Sequence, residues 1–178
     1  PIASICKVMT LLLAFESLDN GEIKLEQDVQ ISENSSKMGG SQVFLDRKST
    51  YCVGDLIKSI VVASANDASV AMAERIAGSE SAFVEKMNEK ASLLGMNDTN
   101  FVNCTGLPKP NQYSCAKDVA TMFSELIKHT DYFKYSKIWT DKILHREGRV
   151  TEISSLSSVG SVSTPAIADA AAVSGLTR

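Results

Sequence analysis

Ser4 and Lys7 stand three residues apart in Ser4-Ile5-Cys6-Lys7, at the head of a long apolar segment. On a helix that spacing puts both side chains on one face, so the Ser4 hydroxyl and the Lys7 amine can meet. A serine hydroxyl is a weak nucleophile until a base takes its proton. A lysine serves as that base when burial or nearby cations leave its amine neutral, and the positive end of a helix dipole pushes the same way. Taken alone, the tetrad also fits an N-capping serine followed by a surface lysine. Its surroundings argue otherwise. Lys7 is flanked by Ile5, Val8 and Met9, and an unpaired ammonium buried among them needs a partner or a function.

A second polar group, Ser64-Ala65-Asn66, interrupts a helical pattern. Such a break aims short polar side chains into a cleft, where Ser64 could relay a proton and Asn66 could hydrogen-bond a substrate amide. A helix-terminating turn accounts for the triplet equally well. Two neighbours are set aside as chemistry. Cys6 points about 100° around the helix from Lys7, and Asp67 reads as an acid in the first turn of a helix. Tyr113 and Trp139 are expected to be packing residues, and the Cys104-Thr105-Gly106 loop is expected to serve packing rather than chemistry.

These groups must be positioned by helices. Ile5 to Leu18 is rich in Leu, Met and Ala, without Gly or Pro, and predicts a buried helix with Ser4 at its N-terminus and a turn at Asn20-Gly21. Short β-type pieces are expected at Gln27–Ile31 and Gln42–Leu45, separated by a Ser-, Asn- and Gly-rich loop. Val53, Leu56, Ile57, Ile60 and Val61 then mark one buried helical face. The pattern breaks at Ser64 and resumes through Ala77 to Gly78. Ser79 opens a helix with Phe83, Met87, Ala91 and Leu94 inward, and Gly95 closes it. Ser114 is the expected cap of a helix facing inward with Val119, Met122, Phe123, Leu126 and Ile127. A shorter amphipathic piece carries Phe133, Ile138 and Trp139.

The chain has 178 residues and a net charge of −3, which fits one domain. The acidic balance argues against a nucleic-acid partner. The longest apolar run, Val8 to Phe15, is far too short to span a bilayer. Cysteines 6, 52, 104 and 115 form no C-x-x-C pair and no zinc spacing with His129 or His145. They read as free small hydrophobes, although an even count permits up to two disulfides. Asn34, Asn97 and Asn103 begin N-x-S/T triplets that read as accidental.

The two motifs and their surroundings resemble the serine D-alanyl-D-alanine carboxypeptidases, the low-molecular-mass penicillin-binding proteins, whose family marks are S-x-x-K, S-x-N and K-T-G. PIASICKVMTLLLAFE is similar to the nucleophile helix, with Cys6 where threonine is usual. GGSQVFLD, DLIKSIVVASANDASVAMAERIAGS, MNDTNFVNCTGL and QYSCAKDVA follow in the family's order over about residues 1–150. The resemblance implies an α/β (α+β) DD-peptidase and β-lactamase-like fold. This chain would hold mostly its helical part, with the main antiparallel sheet largely missing. Carried over, Ser4 is the acylated nucleophile, Lys7 the general base, Ser64 the second catalytic hydroxyl and Asn66 a substrate-binding amide. The implied reaction removes the terminal D-Ala from a peptidoglycan stem peptide ending in D-Ala-D-Ala, with β-lactams entering by the same acylation. No metal or organic cofactor is implied, and the location is extracytoplasmic, at the cell envelope.

The resemblance stops at the third motif. K-T-G is absent, and Val173-Ser174-Gly175-Leu176-Thr177-Arg178 does not replace it. No E-x-x-x-N suited to a deacylating β-lactamase glutamate is found. The expected organisation is a truncated catalytic domain over residues 1–152 and an atypical Ser/Ala-rich tail over 153–178, disordered or translated in a shifted frame. A shift is suggested by Ser161–Pro165, whose codons can read Arg-Phe-Tyr-Pro one frame over.

Overall fold

The computed structural model describes residues 2–155. A 3-10 turn at Ala3–Ile5 leads into α1 (Cys6–Asp19), and the chain then forms β1 (Asp28–Gln30), α2 (Glu33–Ser36) and β2 (Thr50–Cys52). Helices α3 (Val53–Ala63), α4 (Asn66–Ala77) and α5 (Glu80–Leu93) follow, then α6 (Ala116–Leu126) and α7 (Tyr132–Ser136). A hairpin of β3 (Thr140–Leu144) and β4 (Val150–Ser154) completes the described residues. The fold is therefore mostly helical, with two small antiparallel sheets, β1–β2 and β3–β4.

Helix α1 is the centre of the molecule. Leu11, Leu12, Ala14 and Phe15 are buried together with Cys6, Val8 and Met9, and the helix packs against α3, α4, α5 and α6. A helix apolar on all sides has to be covered on all sides. The expected face of α3 is buried at Val53, Leu56, Ile57 and Ile60, whereas Val61 is only partly covered. Ser79 caps α5 by accepting from the Ala82 amide at 3.1 Å, and Gly78 and Gly95 take the left-handed backbone expected of helix-ending glycines.

Several expectations change. Ser4 lies at the N-terminus of α1 as expected, in the 3-10 turn, but the alternative of a capping serine is not met, since Ile5 occupies the cap position with no side-chain hydrogen bond. Ser114 does not cap α6, because its hydroxyl is engaged with Thr99 Oγ1 at 2.7 Å and Cys115 stands at the cap. Gln42–Leu45 is not a strand. Strand β1 pairs with β2 instead, with Val29 opposite Tyr51, and the Ser-rich loop between the expected pieces contains the short α2. Tyr113 and Trp139 are 50% and 63% exposed rather than packed. The β3–β4 hairpin was not anticipated. Its inner residues Ile143 and Ile153 are buried, and Lys58 of α3 ties it down through Asp141 at 3.2 Å.

All four cysteines are free. No helix among the described residues is long and apolar enough to cross a membrane. Residues 156–178, which include most of the expected tail and the text nearest to a third motif, lie outside the described residues.

Candidate active site

The site is built around the start of α1 and the turn at residues 103–107. Lys7 is 2% exposed, and its ammonium donates to the Thr105 carbonyl at 2.7 Å. It forms no ion pair among the described residues. Burial is the dominant influence on this amine and lowers its pKa to about 8. A charge withdrawn from water without a counter-charge favours its neutral form. The Cys6 thiol is pushed the other way by the same burial, up to about 12, and therefore stays protonated.

Ser4 is half-buried on the turn before α1. The residue before it, Ala3, adopts a left-handed backbone with φ 43°, an arrangement that costs energy for a residue with a Cβ. Gly106 makes this possible. Its own φ is +84°, and a Cβ placed there would fall inside the Ala3 carbonyl. The 103–107 turn thus abuts the backbone just before Ser4 and also holds Lys7. Among the described residues Lys7 bonds to Thr105, so the direct Ser4–Lys7 hydrogen bond that helical spacing allows is not made.

The second motif lies at the α3–α4 junction. Ser64 ends α3 in a left-handed conformation, φ 52° and ψ 38°. Its buried hydroxyl has no hydrogen-bond partner, and neither does Oδ1 of the buried Asn66. Unpaired buried polar atoms are rare and costly, and they mark places where a ligand can complete the bonding. Asn66 itself is firmly held: its amide Nδ2 donates to the Gly39 carbonyl at 2.7 Å, and its backbone N–H donates to Ser41 O at 2.7 Å. Gly40 packs so closely on Asn66 that a Cβ there would lie 2.7 Å from Nδ2 and 3.4 Å from a Leu107 methyl. Gly40 therefore bridges the second motif to the turn that holds Lys7.

Two organising residues were not singled out for these roles by sequence reasoning. Asp67 does sit in the first turn of α4, as expected, but its fully buried carboxylate also accepts from the Val43 and Leu45 amides at 3.2 and 3.0 Å. It thereby pins the segment leading from Gly39 and holds Phe44 at φ 60°, 56% exposed. Asn103 folds the 103–107 turn through its side chain. Its place in an N-x-S/T triplet was the only sequence signal. Among the described residues no group of three or more His, Cys, Asp or Glu side chains could hold a metal ion.

A buried lysine, a serine on a strained turn and a second serine at a helix break, all set in a helical layer, sit in a fold of the DD-peptidase and penicillin-binding-protein class. The D-alanyl-D-alanine carboxypeptidase DacD from Francisella tularensis superposes on 97% of this chain and 46% of its own, with TM-score 0.78 and 25% identity. Penicillin-Binding Protein D2 from Listeria monocytogenes, solved in an ampicillin-bound form, covers 91% of this chain and 65% of its own at TM-score 0.72 and 29% identity. The sequence matches the D-alanyl-D-alanine carboxypeptidase family over residues 1–158, and the chain belongs to that family. It is 48% identical over 139 residues to the D-alanyl-D-alanine carboxypeptidase DacF of Bacillus subtilis (strain 168), covering 78% of this chain and 36% of that protein. The chain thus spans about a third of the length of that relative.

Proposed function

We propose that the chain carries the acylating half of a serine D-Ala-D-Ala carboxypeptidase, with Ser4 as nucleophile, Lys7 as general base, Ser64 as proton relay and Asn66 as the substrate amide ligand. The observation that carries this reading is the buried Lys7 amine, held by one carbonyl with no carboxylate and lowered to about 8. At neutral pH roughly a tenth of such amines are neutral, and a neutral amine can take the Ser4 proton. Ser4 Oγ then attacks the carbonyl of the penultimate D-Ala. The peptide bond breaks, the leaving D-Ala amine takes a proton by way of Ser64, and an ester to Ser4 remains. Water hydrolyses that ester to release the shortened peptide. The idle Oδ1 of Asn66 and hydroxyl of Ser64 supply hydrogen-bonding capacity for the substrate.

Substrate and inhibitor follow from the same chemistry: a peptidoglycan stem peptide ending in D-Ala-D-Ala, and β-lactams that mimic it, met outside the cytoplasmic membrane. Residues 1–152 then form the helical part of a catalytic domain. A second reading, a catalytically inactive member of that family that at most binds muropeptides weakly, is favoured by one observation: Lys7 donates to the Thr105 carbonyl and not to Ser4. Labelling with a fluorescent penicillin separates them. Slow labelling that disappears in Ser4→Ala supports the acylating site; no labelling of a folded chain supports the binder.

A further inference from the structure

The 103–107 turn meets α1 in an unusually ordered way. Three successive carbonyls of the turn each accept from a different α1 side chain: Asn103 O from the Cys6 thiol at 3.1 Å, Cys104 O from the Thr10 hydroxyl at 2.8 Å, and Thr105 O from the Lys7 ammonium at 2.7 Å. A row of carbonyls facing one helix requires the turn to be fixed from behind. The Asn103 side chain does this. Its Oδ1 accepts from the Gly106 amide at 2.7 Å and from the Thr105 amide and hydroxyl, both at 3.2 Å, while its Nδ2 donates to Leu107 O at 2.8 Å. Gln112 braces the outside, accepting from the Asn103 amide at 3.0 Å and donating to Leu107 O at 3.1 Å. Asn103 is 7% exposed, so its N-x-S/T triplet does not present a surface amide.

We propose that Asn103 is a positioning residue that shapes the 103–107 turn so that the Thr105 carbonyl holds the Lys7 amine, dry and oriented, one helical turn from Ser4. The inference rests on Lys7 being the base. With the Asn103 side chain removed, the Gly106 amide and the Thr105 amide and hydroxyl lose their acceptor, and Leu107 O keeps only the Gln112 donor. The turn then opens, and water reaches the amine. The titratable groups that face Lys7 are the Cys6 thiol on its own helix and the Cys104 thiol on the turn. Glu80 of α5 faces those thiols, with its carboxylate 3.3 Å from Cys104 Sγ. Both thiols are held protonated by burial, so water entry is the change that acts on the amine.

The test is an NMR titration of the full chain labelled with 13C-lysine, with the Lys7 signal identified by its loss in Lys7→Arg. Wild type is expected to show Lys7 titrating near 8. In Asn103→Ala the midpoint should rise by at least one unit as the ammonium becomes hydrated, and any penicillin-labelling pH profile should move with it. A folded Asn103→Ala chain in which Lys7 titrates as in wild type overturns the proposal. Should that variant fail to fold, Asn103→Ser carries the test, since its shorter neutral side chain cannot serve the Gly106 amide and the Leu107 carbonyl together. Its midpoint should rise in the same direction, and an unchanged midpoint overturns the proposal. A shifted midpoint in chains that label with no penicillin upholds the positioning role and counts against the acylating function.

Discussion

The Lys7 ammonium lies 2.7 Å from the Thr105 carbonyl oxygen, across a sequence separation of 98 residues. A carbonyl dipole holds the charged form far less strongly than a carboxylate would, so burial dominates and the pKa falls to about 8. The amine's ordinary value is 10.5. Between those two pH values the unfolded chain holds the proton that the folded chain has lost, so folding stability climbs as pH rises through that window.

Replacing Lys7 by Met removes a charged group whose burial costs about 3 kcal/mol when protonated. Lys7→Met should therefore be more stable than wild type at pH 7, by about 1–3 kcal/mol, and the advantage should shrink towards pH 10. Urea unfolding at both pH values checks this. The same variant should lose penicillin labelling, because the proposed base is gone.

Wild-type acylation should rise with pH and level off above about 8, following loss of the Lys7 proton. The measurement is the second-order labelling rate between pH 6 and 9.5. A rate that is flat across this range argues against Lys7 as the base.

Gly106 and Gly78 share a left-handed backbone but differ in surroundings, with φ +84° and +81°. Nothing lies within 4 Å of a Cβ at Gly78, whereas the Ala3 backbone occupies that space at Gly106. Gly78→Ala should cost about 1 kcal/mol from backbone strain alone. Gly106→Ala must push the Ala3–Ser4 turn aside, so it should cost about 3 kcal/mol or more and abolish labelling. Denaturant midpoints of the two variants test the contrast directly.

Ser64 bears strain and an unpaired hydroxyl at once. Ser64→Gly removes both, so stability should rise by about 0.5–1 kcal/mol while labelling falls at least tenfold. Asp67 behaves in the opposite sense. Asp67→Ala strands the buried Val43 and Leu45 amides and should cost about 3 kcal/mol, with a labelling loss that follows the released Gly39–Phe44 segment. Thermal unfolding and labelling, run in parallel on both variants, read these trade-offs.

The helical scaffold was legible because its signals are local. Apolar residues recur at helical spacing in α3, the Ser79 hydroxyl accepts from the first turn of its own helix, and Gly78 and Gly95 supply the backbone that ends a helix. Both candidate motifs could likewise be read, since each is contained within four residues. The partners were not legible. Thr105 receives Lys7 through a contact between segments far apart in sequence, and Asp67 reads as an ordinary first-turn acid until the Val43 and Leu45 amides are seen beside it. Gln42–Leu45 carries the β-forming Val43 and Phe44, yet the Asp67 carboxylate takes the amide hydrogens of Val43 and Leu45 that a ladder would need. The β3–β4 hairpin escaped notice because Lys142, Glu152 and exposed Leu144 and Val150 blur its alternation.

The central claim is that Ser4 can be acylated. Its most direct test is mass spectrometry of the chain after incubation with benzylpenicillin, followed by peptide mapping. One added penicilloyl mass is expected on the peptide containing Ser4, forming faster at pH 8.5 than at pH 6.5 and absent in Ser4→Ala. An unmodified folded chain, or an adduct that persists in Ser4→Ala, would contradict it.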